Sequence, residues 1–173
     1  MRSRQTNKPD KYIVSECVKV LRDELPYNLH IFVNSVEFIA KVIDTLKLAP
    51  EAVKVVCSTS GESRQENQRK LGNAYPIGQP SDPAKKINFY TSTCFEGCDI
   101  FDPDGVTFIV SDGRKAHTLL DISTLFTQIC GRIRDSRYKA QIVHVYSTTK
   151  YSKAVTLDEF VAATQRTLAD AES

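Results

Sequence analysis

The side chains best suited to chemistry lie between residues 121 and 137, in DISTLFTQICGRIRDSR. Leu125, Phe126, Ile129 and Cys130 recur at spacings of three and four, which predicts a helix with one buried face. Gln128 lies off that face, and Gly131 marks either the end of the helix or a close backbone approach. Arg132 and Arg134 follow at once, with Ile133 between them, just before a segment that reads as a buried strand. Planar guanidinium forks grip phosphate oxygens and stay charged at any working pH, so phosphate chemistry is the first expectation. A plainer reading of the same residues stays open. Glycine followed by a basic residue is a common helix C-cap, because a cation there complements the helix dipole.

A second stretch, TSTCFEGCDI over 91–100, follows another strand-like segment. Thr91, Ser92 and Thr93 place three hydroxyls directly beyond the strand, Gly97 permits close approach, and Asp99 adds a carboxylate. Hydroxyls and backbone N–H groups are suited to a nucleic-acid backbone. The carboxylate could orient a ribose hydroxyl, a neighbouring arginine or a magnesium-bound water. The alternative is a polar turn that Asp99 caps. Cys94 and Cys98 are too widely spaced for a zinc knuckle and have no second pair, so no metal site is expected. His30 and His144 fall in strand patterns and read as core, His117 reads as loop, and no Ser-His-Asp or Cys-His spacing argues for a hydrolase.

The elements that must position these residues alternate. Strands are expected over 29–33, 53–57, 87–91, 105–110 and 141–146. A helix over 13–25 uses Val14, Cys17, Val18, Leu21 and Leu25 as its face, with Pro26 helping to end it. A second helix begins after Asn34 and Ser35, with Glu37 spaced for a capping box from Asn34, and continues to about residue 48. The segment 62–72 is charged and helical, and 74–86 is a loop that holds three prolines and a glycine. Thr118 and Asp121 are spaced as a capping box for the arginine helix, and a last helix over 157–168 takes Thr156 as its cap. Alternation of this kind argues for one three-layer α/β domain over 12–173 with a mainly parallel sheet. Residues 1–11, polar and basic, read as a linker or disordered arm.

With 173 residues, 41% hydrophobic and 25% charged, the chain fits one ordinary domain. A formal charge of +2 excludes a wholly basic nucleic-acid glove, so any contact with DNA or RNA would use a local strip. Five cysteines, an odd number set mostly in apolar runs, suit buried thiols in a reducing, cytoplasmic compartment. No apolar run approaches the roughly 18 residues of a membrane span, so no membrane partner is expected.

The run Gln128-x-x-Gly131-Arg132-x-Arg134 resembles motif VI of the superfamily 2 helicases, and Thr91, Gly97 and Asp99 stand at the spacing of motif V. HIFVNS over 30–35 resembles motif IV, so the three motifs occur in family order over 29–146. The usual motif VI has a last arginine where this chain has Asp135; Arg134 comes one residue early and Arg137 two late. That shortened form is similar to the one in herpesvirus origin-binding protein helicases. The resemblance implies a RecA-like (P-loop NTPase-like) fold that forms the second motor domain of an ATP-dependent helicase or translocase. It implies Gln128, Arg132 and Arg134 as the catalytic set, with one arginine as the finger and Arg137 in reserve. Gly97, Asp99 and Gly131 would face the nucleotide, and Thr91, Ser92 and Thr93 would hold nucleic acid, with DNA favoured over RNA.

The chain contains no G-x-x-x-x-G-K-[ST], and Gly61-Glu62-Ser63-Arg64 is not a substitute. ATP and Mg2+ would therefore be shared with an N-terminal RecA-like domain absent from this chain, and the isolated chain is expected to be inactive. The alternative, from another class, is a non-catalytic RecA-like module that binds nucleic acid or a protein.

Overall fold

Within the core strands, apolar residues alternate with others, as in Leu29-His30-Ile31-Phe32 and Val53-Lys54-Val55-Val56. Successive side chains of a strand point to opposite faces, so this alternation gives a sheet two different surfaces. The computed structural model describes residues 2–6, 8–91, 100–112, 133–134, 136 and 142–147. Its elements are β1 (Arg2–Gln5), α1 (Pro9–Leu21), β2 (Asn28–Phe32), α2 (Val36–Leu46), a 3-10 turn (Pro50–Ala52) and β3 (Val53–Val56). They continue with α3 (Ser63–Leu71), β4 (Ile87–Tyr90), β5 (Ile100–Phe101), β6 (Gly105–Asp112), β7 (Ile133–Arg134) and β8 (Ile142–Ser147). Six strands form one sheet in the order β1-β8-β6-β2-β4-β3, and every adjacent pair is parallel. The α/β architecture with a mainly parallel central sheet, expected from the alternation, is the one observed.

One face of the sheet is apolar. Leu29, Ile31, Val55, Phe89, Phe108 and Val145 are buried there against Ile13, Cys17 and Val20 of α1 and Ile39, Val42 and Ile43 of α2. The opposite face is buried too, but its chemistry differs. Lys54 stands opposite Asn88, Asn88 opposite His30, and His30 opposite Thr107, so four polar residues cross four neighbouring strands in register. Their exposures are 4%, 0%, 0% and 3%.

Several expectations change in detail. Within 1–11, residues Arg2–Gln5 are a strand that pairs with β8, and α1 already begins at Pro9. An edge strand needs a backbone ladder more than apolar side chains, and proline is pre-set for the first helical turn, so neither feature showed in the hydrophobic pattern. The packing face of α1 is Ile13, Cys17 and Val20, whereas Leu21 is 36% exposed. Ser35, not Asn34, caps α2, its Oγ accepting the Phe38 N–H at 3.1 Å. The strand expected over 105–110 continues as β6 through Ser111 and Asp112, which are in register with Tyr146 and Ser147. The short pair β5 and β7 was not foreseen. The capping box at Thr118 and Asp121, the arginine helix that follows it and the helix over 157–168 lie outside the described residues.

The irregular loop 74–86 has a structural reason. The Gly78 N–H donates to the Val55 carbonyl at 2.7 Å, along the outer edge of β3. The Tyr75 hydroxyl donates to the Leu48 carbonyl, and Lys54 Nζ donates to the carbonyls of Pro80 at 2.9 Å and Asp82 at 2.7 Å. An exposed edge strand invites pairing with other chains, and this loop covers it.

Candidate functional site

Open parallel sheets bind ligands beyond the carboxyl ends of their strands, where neighbouring connections leave in opposite directions. Here β2 leads through α2 to β3, while its neighbour β4 leads onward to β6 on the far side of β2. The switch point therefore lies at the ends of β2 and β4. Thr91 sits there, directly after β4; its N–H donates to the Val56 carbonyl at 3.0 Å and the residue is 5% exposed. Beside it, the Val33 N–H donates to the Tyr90 carbonyl at 2.9 Å, just ahead of the Ser35 cap of α2.

Of the residues singled out from the sequence, Ser92, Thr93, Gly97, Asp99, Gln128, Gly131, Arg132 and Arg137 fall outside the described residues. Arg134 lies on β7, which pairs in parallel with β5, Ile133 against Ile100 and Arg134 against Phe101. Ile100 directly follows Asp99, and Ile133 directly follows Arg132. The chain leaving the carboxylate stretch and the chain leaving the arginine stretch are thus neighbours in one small sheet. Phe101, at 66% exposed, is the more solvent-accessible of the two large exposed apolar residues described.

Sequence reasoning placed His30 in the core but missed its partners. Its Nε2 lies 2.7 Å from Asp102 Oδ2 and its Nδ1 lies 2.9 Å from the Tyr90 hydroxyl. Asp102 also accepts from Asn28 Nδ2 at 3.0 Å and from the Asp104 N–H at 3.0 Å. Burial pushes the His30 pKa down, and the nearby Lys54 charge adds to this, against an opposing pull from Asp102. For Asp102, burial acts upward but is outweighed by hydrogen bonds from His30, Asn28 and Asp104, so its pKa is lowered. The pair is close enough to count as an ion pair, yet the direction for His30 favours a neutral ring. A neutral ring satisfies every atom if Nε2–H donates to the carboxylate and Nδ1 accepts from the tyrosine hydroxyl. The signal that could have found Asp102 is the turn Asp102-Pro103-Asp104-Gly105, in which an aspartate bonds backbone two residues on.

The Tyr90 ring stacks on Phe32 at 4.9 Å between centroids, and Lys54 Nζ lies 5.6 Å from its centre. His144, on the same buried face, has Nε2 3.1 Å from Ser111 Oγ, and burial lowers its pKa to about 3. Burial likewise raises the thiols of Cys17 to about 12 and Cys57 to about 11, which keeps both protonated and unreactive. Among the described residues, no group of three or more His, Cys, Asp and Glu is placed to hold a metal, and no helix is long and apolar enough to cross a membrane.

No family model matches the chain, and no curated protein matches it. Among solved structures the chain is similar to the C-terminal domain of the DEAD-box protein Dbp5, at 14% identity and a TM-score of 0.49, over 98% of this chain and 83% of that one. At that identity no site residue transfers from one chain to the other.

Proposed function

We propose that the chain is the second RecA-like motor domain of an ATP-dependent nucleic-acid helicase or translocase, with DNA as its favoured track. The observation that supports this most is the parallel pairing of β5 with β7, because it joins the segments that leave Asp99 and Arg132. Those two stretches carry separate motif spacings, and a shared nucleotide site needs them on one side of the domain. Thr91, at the switch point where such sheets hold ligands, supports the same reading.

In this proposal Arg132 or Arg134 meets the charge that develops on a transferring phosphoryl group, and Gln128 helps to orient the site. Gly97, Gly131 and Asp99 face the nucleotide, while Thr91, Ser92 and Thr93 grip the nucleic-acid backbone. ATP with Mg2+ supplies the phosphoryl transfer that drives the cycle. The present chain offers arginines, a carboxylate and glycines that fit the phosphate side of such a site, but no P-loop in its sequence. The P-loop and the metal ligands therefore belong to a partner N-terminal RecA-like domain.

The test is nucleic-acid-stimulated ATP hydrolysis by a protein that holds both domains, with Arg132→Ala and Arg134→Ala. Loss of turnover in either variant, with ATP binding and folding intact, is the expected result. If both variants hydrolyse ATP like the parent, the motor reading fails and a non-catalytic binding module takes its place.

A further inference from the structure

Tyr90 and Asp102 stand on either side of the stretch that begins at Thr91 and ends with β5. A single side chain from a third segment touches both. His30, at the middle of β2, has Nδ1 2.9 Å from the Tyr90 hydroxyl and Nε2 2.7 Å from Asp102 Oδ2. An imidazole suits this place because a neutral ring offers one donor and one acceptor, fixed at opposite sides of a rigid plane. The ring is itself held. It stacks on Tyr90 with an interplanar angle of 9°, and a Cβ added at Gly105 would lie 3.0 Å from its Cδ2 and Nε2. Asp102 is tied down as well, by Asn28 and by the turn it makes with Asp104 and Gly105.

We propose that His30 is a positioning residue that staples Thr91 at the end of β4 to the β5 strand, and so sets the spacing of the two ends of the nucleic-acid and nucleotide stretch. The role given to that stretch rests on the motor reading; the staple rests on geometry alone. Tyr90 joins Thr91 directly, and Asp102 joins Phe101 directly, so each hydrogen bond acts one peptide away from the element it holds. A rigid ring between them turns two separate chain ends into one unit. Loss of either bond leaves that end to its backbone ladder or turn alone and loosens it, while the apolar face of the sheet, where α1 and α2 pack, keeps its contacts.

Tyr90→Phe tests this with little risk to folding, since it removes one hydroxyl and keeps the ring that stacks on Phe32. Val42→Ala, on the apolar face, is the matched control for general destabilisation. Amide hydrogen exchange on the 173-residue chain is read at Thr91, Asp104 and Gly105, whose N–H groups bond to Val56, Asp102 and Asp102. Tyr90→Phe is expected to speed exchange at Thr91 about fivefold, the factor that corresponds to one buried hydrogen bond, with α2 amides unchanged. His30→Gln, which loses the short reach of Nδ1 but keeps a donor for Asp102, is expected to free Thr91 and spare Asp104. Equal acceleration at Thr91 and in α2, as for Val42→Ala, overturns the staple, and so does no change at Thr91.

A second measurement separates the staple from the motor reading. In the two-domain protein, the single-stranded DNA concentration that half-saturates ATP hydrolysis is expected to rise about fivefold in Tyr90→Phe and to stay at the parental value in Val42→Ala. If exchange responds as expected but the parent shows neither DNA- nor RNA-dependent hydrolysis, the staple stands and the motor reading fails. If the parent responds to DNA and Tyr90→Phe responds at the same concentration, the positioning role is refuted.

Discussion

Lowering the pH from 7 to 5 should weaken this fold through its buried histidines. His144 is 0% exposed in β8, with Nε2 against Ser111, and burial takes its pKa from 6.5 to about 3. The unfolded chain accepts a proton near pH 6.5, whereas the folded chain refuses it until about pH 3. Between those values the unfolded state binds more protons, so stability is complete above pH 6.5 and falls as the pH falls. The limiting slope is about 1.4 kcal/mol per pH unit, which makes the loss from His144 ~2 kcal/mol by pH 5. His30, also lowered, acts in the same direction. Asp102 does not contribute in this window, because its pKa lies below 3.8 and its stabilisation is lost only under that value. A loss of ~2 kcal/mol is a large share of the roughly 5–15 kcal/mol that holds a domain folded. Urea midpoints at pH 7 and pH 5, at one ionic strength, measure it for the parent and for His144→Gln. The parent midpoint should drop clearly, and the drop should shrink in the variant. An unchanged parent midpoint, or an equal drop in His144→Gln, would refute the reasoning.

Two further substitutions probe the same polar face. Lys54→Met removes donors to the carbonyls of Pro80 and Asp82. It is expected to cost about 2 kcal/mol and to speed proteolytic cleavage within 74–86; cleavage at the parental rate would count against the docking of that loop. Gly105→Ala pushes a Cβ to 3.0 Å from the His30 ring and 3.3 Å from Asp102 Cβ. The ring is fixed by two hydrogen bonds and cannot step aside, so thermal unfolding should report a loss of about 1–3 kcal/mol; an unshifted Tm would show that the site has room.

The hydrophobic pattern of the sequence carried the central sheet because its five core strands are short apolar runs bounded by turns. Leu29, Ile31, Phe89 and Phe108 are where that pattern placed them, in the core. Elements with no such pattern were invisible. Arg2–Gln5 is polar and joins the sheet through its backbone, while β5 and β7 are two residues each, too short for any period to show. Asn34 and Ser35 are both good caps by residue type, so the sequence did not choose between them. The position of Thr91 was legible because it directly follows a buried apolar run, which puts it at the carboxyl end of the sheet. The pairing of the chain after Asp99 with the chain after Arg132 was not, since it joins segments more than thirty residues apart in sequence. Likewise His30 could be read as buried, but its partners Tyr90 and Asp102 lie 60 and 72 residues away.

The two faces of the sheet divide the work of specifying this fold. On the apolar face, Ile31, Phe89, Ile39 and Val42 belong to one large hydrophobic cluster, but such contacts tolerate exchange and small shifts. A polar row does not. Lys54 is satisfied by the carbonyls of Pro80 and Asp82, Asn88 by the backbone of Lys85 and Leu29, and His30 by Tyr90 and Asp102. Lys54 and His30 reach chain that leads into other strands, Pro80 and Asp82 ahead of β4 and Asp102 ahead of β6. Asn88 ties Lys85, ahead of its own strand, to Leu29 of β2. A slip of one residue in β3 would turn Lys54 toward the apolar face and leave a buried ammonium without its carbonyls. The row therefore fixes register, and through its partners it also fixes where the irregular chain beside the sheet must lie. Among the described residues, that is how loop 74–86 is held on one edge and how Tyr90 of β4 is tied to the turn that leads from β5 into β6.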